Sequence, residues 1–385
     1  METLLLAVGA TLVVALVLGE LFERAGEPAL LGEILAGLLL GPSVVGLVEY
    51  TGTFAVFGTI GAMLLFFDVG YEHLELAELL SVGPAAVSIA LFGMALPAAA
   101  GLALGVVFAL GPAETGFLAL ALSVTSIAVT ARTLLGLGQL DTAVGHRIVG
   151  AAVVDDVVGL LGFALLLAAV GDGGRPGPLV ALARMAAFFG AVLLARPAVG
   201  RLSALLARSR QPGADVLAIL GVVFLAGFGA EAAGLDVTLG ALVVGLLAGE
   251  DDRFSRLEVR EGIVGISYGV FVPLFFAGVG ARVDLGVLAT PDALLAGVVV
   301  LGLGTKFLGG LVGSLLAGGS ADDSVVVGVG MLPKTGVELA ILTTALAEGF
   351  VTGRLFSALV ALVLVSVLVT PSLLQAAVER APATG

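Results

Sequence analysis

Thirteen stretches of this chain are each apolar and long enough to approach the thickness of a lipid bilayer, and no other feature limits its fold as strongly. They run near 3–19, 29–48, 53–70, 83–109, 115–137, 145–170, 178–199, 214–231, 235–249, 262–281, 291–317, 324–347 and 353–377. A helix of about 20 mostly apolar residues spans the hydrocarbon core. Without water, the backbone must satisfy its own amides, and a helix does this within one segment. The expectation is an all-α polytopic membrane protein of about 13 spans, the ninth of them short. No basic segment precedes 3–19, so the first run reads as a span and not as a cleaved leader. With 59% hydrophobic and only 12% charged residues, a soluble enzyme, a disordered chain and a nucleic-acid binder are all excluded. Cysteine is absent, which removes disulfides, thiol catalysis and cysteine–metal sites. Tryptophan is absent too, so interface belts must come from Phe and Tyr. No enzymatic chemistry, cofactor or structural metal is expected.

The net charge of −13 must sit in loops and termini, as at Glu20, Glu27, Glu72, Glu78, Glu250, Asp252, Asp322 and Asp323. A surface suited to high salt, as in a halophile, accounts for it. Drift in a GC-rich genome explains the excess of Arg over Lys but not the acids. Basic residues mark the cytoplasmic side of a membrane protein. Odd-numbered loops and the C-terminus carry Arg24, Arg147, Arg196, Arg201, Arg208, Arg210, Arg253, Arg256, Arg260 and Arg380, against Arg175, Arg282 and Arg354 in the even-numbered loops. Ten against three predicts an N-terminus outside and a C-terminus in the cytoplasm of a plasma-membrane protein.

The chain repeats itself. Residues 31–41, LGEILAGLLLG, match residues 239–249, LGALVVGLLAG, at six of eleven positions with an offset of 208. Leu65-Phe66-Phe67 recurs as Leu274-Phe275-Phe276 at an offset of 209. The longer echo relates span two to span nine. Seven spans is an odd number, so the halves insert in opposite orientation. Inverted repeats of this kind typify secondary transporters, whose ion sites lie near the midplane on interrupted helices. Spans 1–6 and 8–13 form the two six-helix repeats, and span 7 joins them.

Ionisable groups inside a membrane are costly, at about 2.5–3.5 kcal/mol each on insertion scales, and mark function. Asp155 and Asp156 stand midway along the sixth span in AAVVDDVVGLLG. Successive helix residues point about 100° apart, so one aspartate can hold a fixed countercharge while the other opens to water. Lys306, deep in LGLGTKFLGGLVG, is the natural countercharge, a snorkelling lysine being the alternative. Only two of the 17 basic residues are lysine, Lys306 and Lys334, and both lie inside apolar runs. The fifth span contains the hydroxyl cluster Ser123, Thr125 and Ser126. Adding the repeat offset to Thr125 gives Pro333, followed by Lys334, Thr335 and Gly336. Proline interrupts a helix, and two unwound helices meeting at midplane would offer carbonyls to a cation and opposed dipoles. Back-bonding of the hydroxyls to helix carbonyls is the plainer alternative. Glu338 would pair with Lys334 or compensate those dipoles. Glu33 and Asp68 read as packing or interface acids, Asp215 lies at a span start, and His73 and His146 read as solvated loop histidines.

The segments LGEILAGLLLGPSVVG, SVTSIAVTARTLLGLGQLDTAVGHRIVGAAVVDDVVGLL, LDVTLGALVVGLLAG, FVPLFFAGVGARVDL and TKFLGG resemble, in this order, the monovalent cation:proton antiporter-2 family. The resemblance implies the sodium/proton antiporter fold with two crossing broken helices. It implies an elevator-type, electrogenic exchanger of Na⁺ (or K⁺ or Li⁺) for H⁺, usually a homodimer. Asp156 matches the ion- and proton-carrying aspartate, Asp155 its partner, Lys306 the lysine that pairs with it, and Thr125 and Ser126 the first break. By the same resemblance, residues 1–80 and 213–289 form the dimerisation domain and residues 81–170 and 290–385 the ion-transport core. Residues 171–212 supply the linker helix and a cytoplasmic loop. Many relatives carry Arg-Gly-Glu where this chain has Lys334-Thr335-Gly336, with Glu338 standing two residues later. The soluble nucleotide-binding domain of potassium-efflux relatives is not expected. A sodium-coupled organic-solute symporter would need a larger polar cavity. A channel, or a membrane sensor with an output domain, remains a further class.

Overall fold

The computed structural model describes residues 2–72, 83–170, 178–206, 208–209, 211, 213–251, 254, 257–282, 285–286, 292–334, 345–346 and 349–380. Every regular element among them is helical. In chain order they are α1 (Glu2–Arg24), α2 (Ala29–Leu40), α3 (Gly52–Glu72), α4 (Gly83–Val107), α5 (Pro112–Ser123), α6 (Ala128–Gly136) and α7 (Ala143–Val170). There follow α8 (Pro178–Leu206), α9 (Ala214–Ala232), α10 (Val237–Gly249), α11 (Leu257–Ile266), a π-helical turn (Ser267–Phe271), α12 (Val272–Ala281), α13 (Ala293–Leu316), α14 (Ala321–Gly330) and α15 (Gly353–Arg380). Among the described residues nine helical stretches are long and apolar enough to cross a membrane, α5 with α6 counting as one, and α11 with the π-helical turn and α12 as another. Each of the thirteen apolar runs carries helix.

Three runs are not continuous helix, the first against the sequence expectation and the other two at the expected breaks. The run 29–48 stops being helical at Leu40. Gly41 and Pro42 end it, and the chain folds back so that Leu47 N and Val48 N both donate to Leu40 O at 2.9 and 2.8 Å. Gly46, at φ +71°, makes that reversal. The run 115–137 is interrupted between Ser123 and Ala128, where Val124 is extended (φ −69°, ψ 147°). In the run 324–347, α14 ends at Gly330, three residues before Pro333. His146 is also not a solvated loop residue. It lies in the first turn of α7 and is 4% exposed, because the apolar face of that turn faces inward. His73 lies outside the described residues, as do Thr335 and Glu338.

The chain forms two compact units. One comprises Met1–Glu23, Gly32–Glu78 and Leu179–Arg282, the other Arg24–Leu31, Leu79–Pro178 and Val283–Gly385. In the first unit the sequence repeat becomes an interlock. A Cβ on Gly37 of α2 would lie 1.7 Å from Ala277 O of α12, and one on Gly245 of α10 would lie 2.2 Å from Phe67 O of α3. The partners answer in kind: Gly280 meets Ile34 O and Gly70 meets Leu242 O, at 1.9 and 2.2 Å from the built Cβ. Gly37 and Gly245 differ by the repeat offset, as do Ile34 and Leu242. Each repeat's short helix therefore grips the third helix of the other repeat, backbone against backbone. Apolar lipid gives helices little hydrophobic reason to associate, so close approach at small residues supplies the packing.

In the second unit α13 packs on α4 by the same device. A Cβ on Gly309 would stand 2.4 Å from Phe92 O, and one on Gly313 2.6 Å from Ile89 Cα. Gly302, Lys306, Gly309 and Gly313 share the buried side of α13, so the packing that seats the glycines also carries Lys306 inward. Asp292 starts this helix by accepting from Leu295 N at 2.8 Å and from Arg354 Nε at 2.6 Å. A buried apolar cluster of Leu118, Leu122, Val298, Leu355 and Leu359 joins α5, α13 and α15.

These contacts make a stability prediction. Gly37→Ala and Gly245→Ala each improve intrinsic helix propensity by about 1 kcal/mol, yet overpacking costs typically about 1–3 kcal/mol or more. Both variants should melt below the parent when helical circular dichroism is followed with temperature. Gly9→Ala, where a Cβ meets nothing within 4 Å, should melt at or above it.

Candidate ion-binding site

The site is built where the two interrupted helices meet. Ser126 N donates to Pro333 O at 2.8 Å, joining the break after α5 to the break after α14. Thr130 on α6 donates its hydroxyl to Gly330 O at 2.6 Å and so takes up a carbonyl at the end of α14. Thr125 and Pro333, equivalent by the repeat offset, thus lie at the same junction. Ser126 and Pro333 contribute backbone groups to it.

Asp155 and Lys306 lie beside this junction as a pair, with side chains 0% and 0% exposed. Lys306 Nζ donates to Asp155 Oδ2 at 2.9 Å, and Thr125 Oγ1 donates to the same oxygen at 2.6 Å. Lys306 also donates to the Ser123 carbonyl. Asp155 Oδ1 is buried and has no hydrogen-bond partner among the described residues. One carboxylate oxygen therefore takes two donors and the other takes none. Asp156, next along α7, is partly buried where Asp155 is fully buried. The 100° rotation between neighbouring helix residues separates a closed aspartate from a more open one.

Lys334 follows Pro333 in the second break and is 1% exposed. Its ammonium reaches across to the first break, donating to Leu122 O at 3.0 Å and to Val124 O. Its own N–H donates to Ser366 Oγ on α15 at 3.1 Å. Ser123 Oγ donates to Ala119 O at 2.7 Å and to Met94 O at 3.0 Å. The back-bonding alternative therefore holds for Ser123, while Thr125 is turned to the carboxylate.

The structure thus brings together Thr125, Ser126, Asp155, Lys306, Pro333 and Lys334. Among the buried acids of the other unit, Asp68 accepts from Tyr268 Oη at 2.6 Å, with Tyr268 in the π-helical turn. Ser366 and Thr130 have structural roles at the breaks that the sequence reading missed. Neither hydroxyl carries a local sign of its partner, and only the fold reveals what it faces. Among the described residues no group of three or more His, Asp or Glu side chains is placed to hold a resident metal.

Residues 9–380 match the family model for the transmembrane sodium/hydrogen exchanger. The chain belongs to this family. The Na⁺/H⁺-K⁺ antiporter GerN of Bacillus cereus is 28% identical over 357 residues, covering 93% of this chain and 92% of that protein. A Na⁺/H⁺ antiporter of Enterococcus hirae is 29% identical, covering 92% of each chain. The high-affinity Na⁺/H⁺ antiporter NhaS3 of Synechocystis is 28% identical, covering 94% of this chain and 87% of that protein. The sodium proton antiporter MjNhaP1 of Methanocaldococcus jannaschii shares the fold, with a TM-score of 0.72 over 98% of this chain and 99% of that one, at 16% identity.

Removing one partner of a fully buried ion pair leaves an uncompensated charge, at a cost of about 3–5 kcal/mol. Lys306→Met should therefore lower the melting temperature sharply. Asp155→Asn combined with Lys306→Met should recover more than half of that loss. A double variant that melts no higher than Lys306→Met would mean that charge compensation is not what Lys306 supplies.

Proposed function

We propose that this chain is a secondary active antiporter that exchanges Na⁺ for H⁺ across the plasma membrane. One observation carries the reading. A partly buried aspartate, Asp156, adjoins a carboxylate already compensated by a buried lysine, at the junction of two interrupted helices. Asp155 is held by Lys306 and Thr125, which leaves Asp156 as the group that takes a proton or a cation, one at a time. Competition for Asp156 couples the two fluxes. The loaded site crosses the hydrocarbon at lower cost than the empty carboxylate, so loaded states move and the empty one does not.

In this reading the unit containing Leu79–Pro178 and Val283–Gly385 is the mobile ion-transport core of an elevator. The other unit is the dimerisation domain of a homodimer in the bilayer. The N-terminus is outside and the C-terminus cytoplasmic, as the distribution of arginines favours. The Asp155–Lys306 pairing supports the antiporter-2 branch of the family and an electrogenic exchange. K⁺ is a second cargo to test, since GerN is named a Na⁺/H⁺-K⁺ antiporter; Li⁺ is a third.

In proteoliposomes carrying an acid interior and a pH-sensitive dye, added Na⁺ should release protons. Parallel additions of K⁺ and Li⁺ rank the cargo. Asp156→Asn should abolish the signal while circular dichroism stays that of the parent. Exchange persisting in that variant would remove Asp156 from the carrier role.

A further inference from the structure

The carbonyls that end α5 are natural ligands for an alkali cation. An α-helix leaves its last carbonyls without helical donors, and the negative end of its dipole lies there. In α5 the Leu120 carbonyl is still used, accepting from Val124 N at 3.1 Å. Beyond it the chain leaves the helix, and the carbonyls of Leu122, Ser123 and Val124 fall in succession at the break, sealed from solvent by Leu122, Ser123 and Val124 themselves, all 3% exposed or less. Such a run of inward oxygens in a polytopic protein is suited to a bare monovalent ion.

Both lysines of the chain are spent on it. Lys334 Nζ donates to Leu122 O and Val124 O, and Lys306 Nζ to Ser123 O between them. Lys306 divides its donors between this carbonyl and Asp155. Lys334 is placed from the other broken helix, immediately after Pro333, with its backbone fixed by Ser366. An alkylammonium carries the charge of an alkali cation, and its three donors meet carbonyl oxygens as that cation would.

We propose that Lys334 is a resident cation. Its ammonium fills the carbonyl cradle at residues 122–124, keeps transported ions out of it and confines them to the Asp156 side of the junction. This makes Lys334 a positioning and specificity-determining residue. It rests on the antiporter reading for the transported ion, but the cradle itself rests on the geometry alone. The sequence offers the carbonyls of both breaks to the cargo; in this proposal those of residues 122–124 are held by the two ammonium groups instead.

The test opens the cradle in a protein that has lost the exchange site. Lys334→Met keeps the apolar stem and deletes the charge. Purified Asp156→Asn and Asp156→Asn/Lys334→Met proteins are melted by circular dichroism in 0.3 M KCl, methylammonium chloride or choline chloride, choline being too large for the cradle. The double variant should melt about 2–3 °C higher in K⁺ or methylammonium than in choline, the shift expected of a ligand present at about ten times its dissociation constant. Asp156→Asn alone should show no such difference. Equal melting in all three salts overturns the proposal. If the double variant aggregates in choline, its recovery as folded protein in methylammonium supports the cradle, and aggregation in both overturns it. Lys334→Arg, in the otherwise native chain, keeps the charge and its donors at the carbonyls and should move the apparent KM for Na⁺ less than Lys334→Met does. A KM moved as far as in Lys334→Met also overturns the proposal. Melting is read without transport, so exchange persisting in Asp156→Asn would defeat the antiporter assignment of Asp156 and leave the salt comparison intact.

Discussion

A lysine and an aspartate, both wholly removed from solvent and 2.9 Å apart, are the contact around which the second unit is arranged. Neither charge is tolerable alone in that setting, and together they hold only if their remaining donors and acceptors are met. The surroundings meet most of them. Thr125 comes from the first break to the shared oxygen, and Ser123 offers its carbonyl to the spare donor of Lys306. Gly309 and Gly313 draw α13 against α4 so that Lys306 reaches that position. The break frees the Ser123 carbonyl that the ion pair uses, since a continuous helix would take that carbonyl for its own backbone bonding.

The same logic explains why the chain keeps lysine at these two places. Ammonium is compact and its donors rotate, which suits Lys306 to a carboxylate and a carbonyl at once. It suits Lys334 to two carbonyls two residues apart. The first unit solves a different problem with a different residue. It carries no comparable charge pair among its described residues and relies on reciprocal glycines, where α2 lies on α12 and α10 on α3 in the same manner.

Much of this was legible in the residues. The thirteen apolar runs appeared as helices because a span must satisfy its backbone internally. The break at Ser123–Ile127 was announced by clustered hydroxyls, the break before Pro333 by proline, and the Asp155–Lys306 pairing by the cost of burying either charge. Other features were not legible. His146 was assigned to solvent because a histidine near loop residues carries no local sign of burial. The run 29–48 was read as one span because apolar residues continue past Leu40, although the chain there turns back on itself. The carbonyl partners of Lys334 had no local sign, because helical periodicity points only to neighbours three or four residues along the chain. Beyond the helix Lys334 reaches carbonyls 212 and 210 residues away.

The sequence by itself determined a helical membrane protein of two related halves, with two aspartates and two lysines set within its apolar runs. Those conclusions rest on hydropathy, charge cost and self-similarity, which are properties of short segments. Only the tertiary structure decided which oxygen each lysine takes, that the two breaks bond to each other, and that the repeated glycines serve opposite halves. Each of these joins residues distant in the chain, across contacts a few ångströms long. Periodicity and composition carry no distance information at that separation, and packing does.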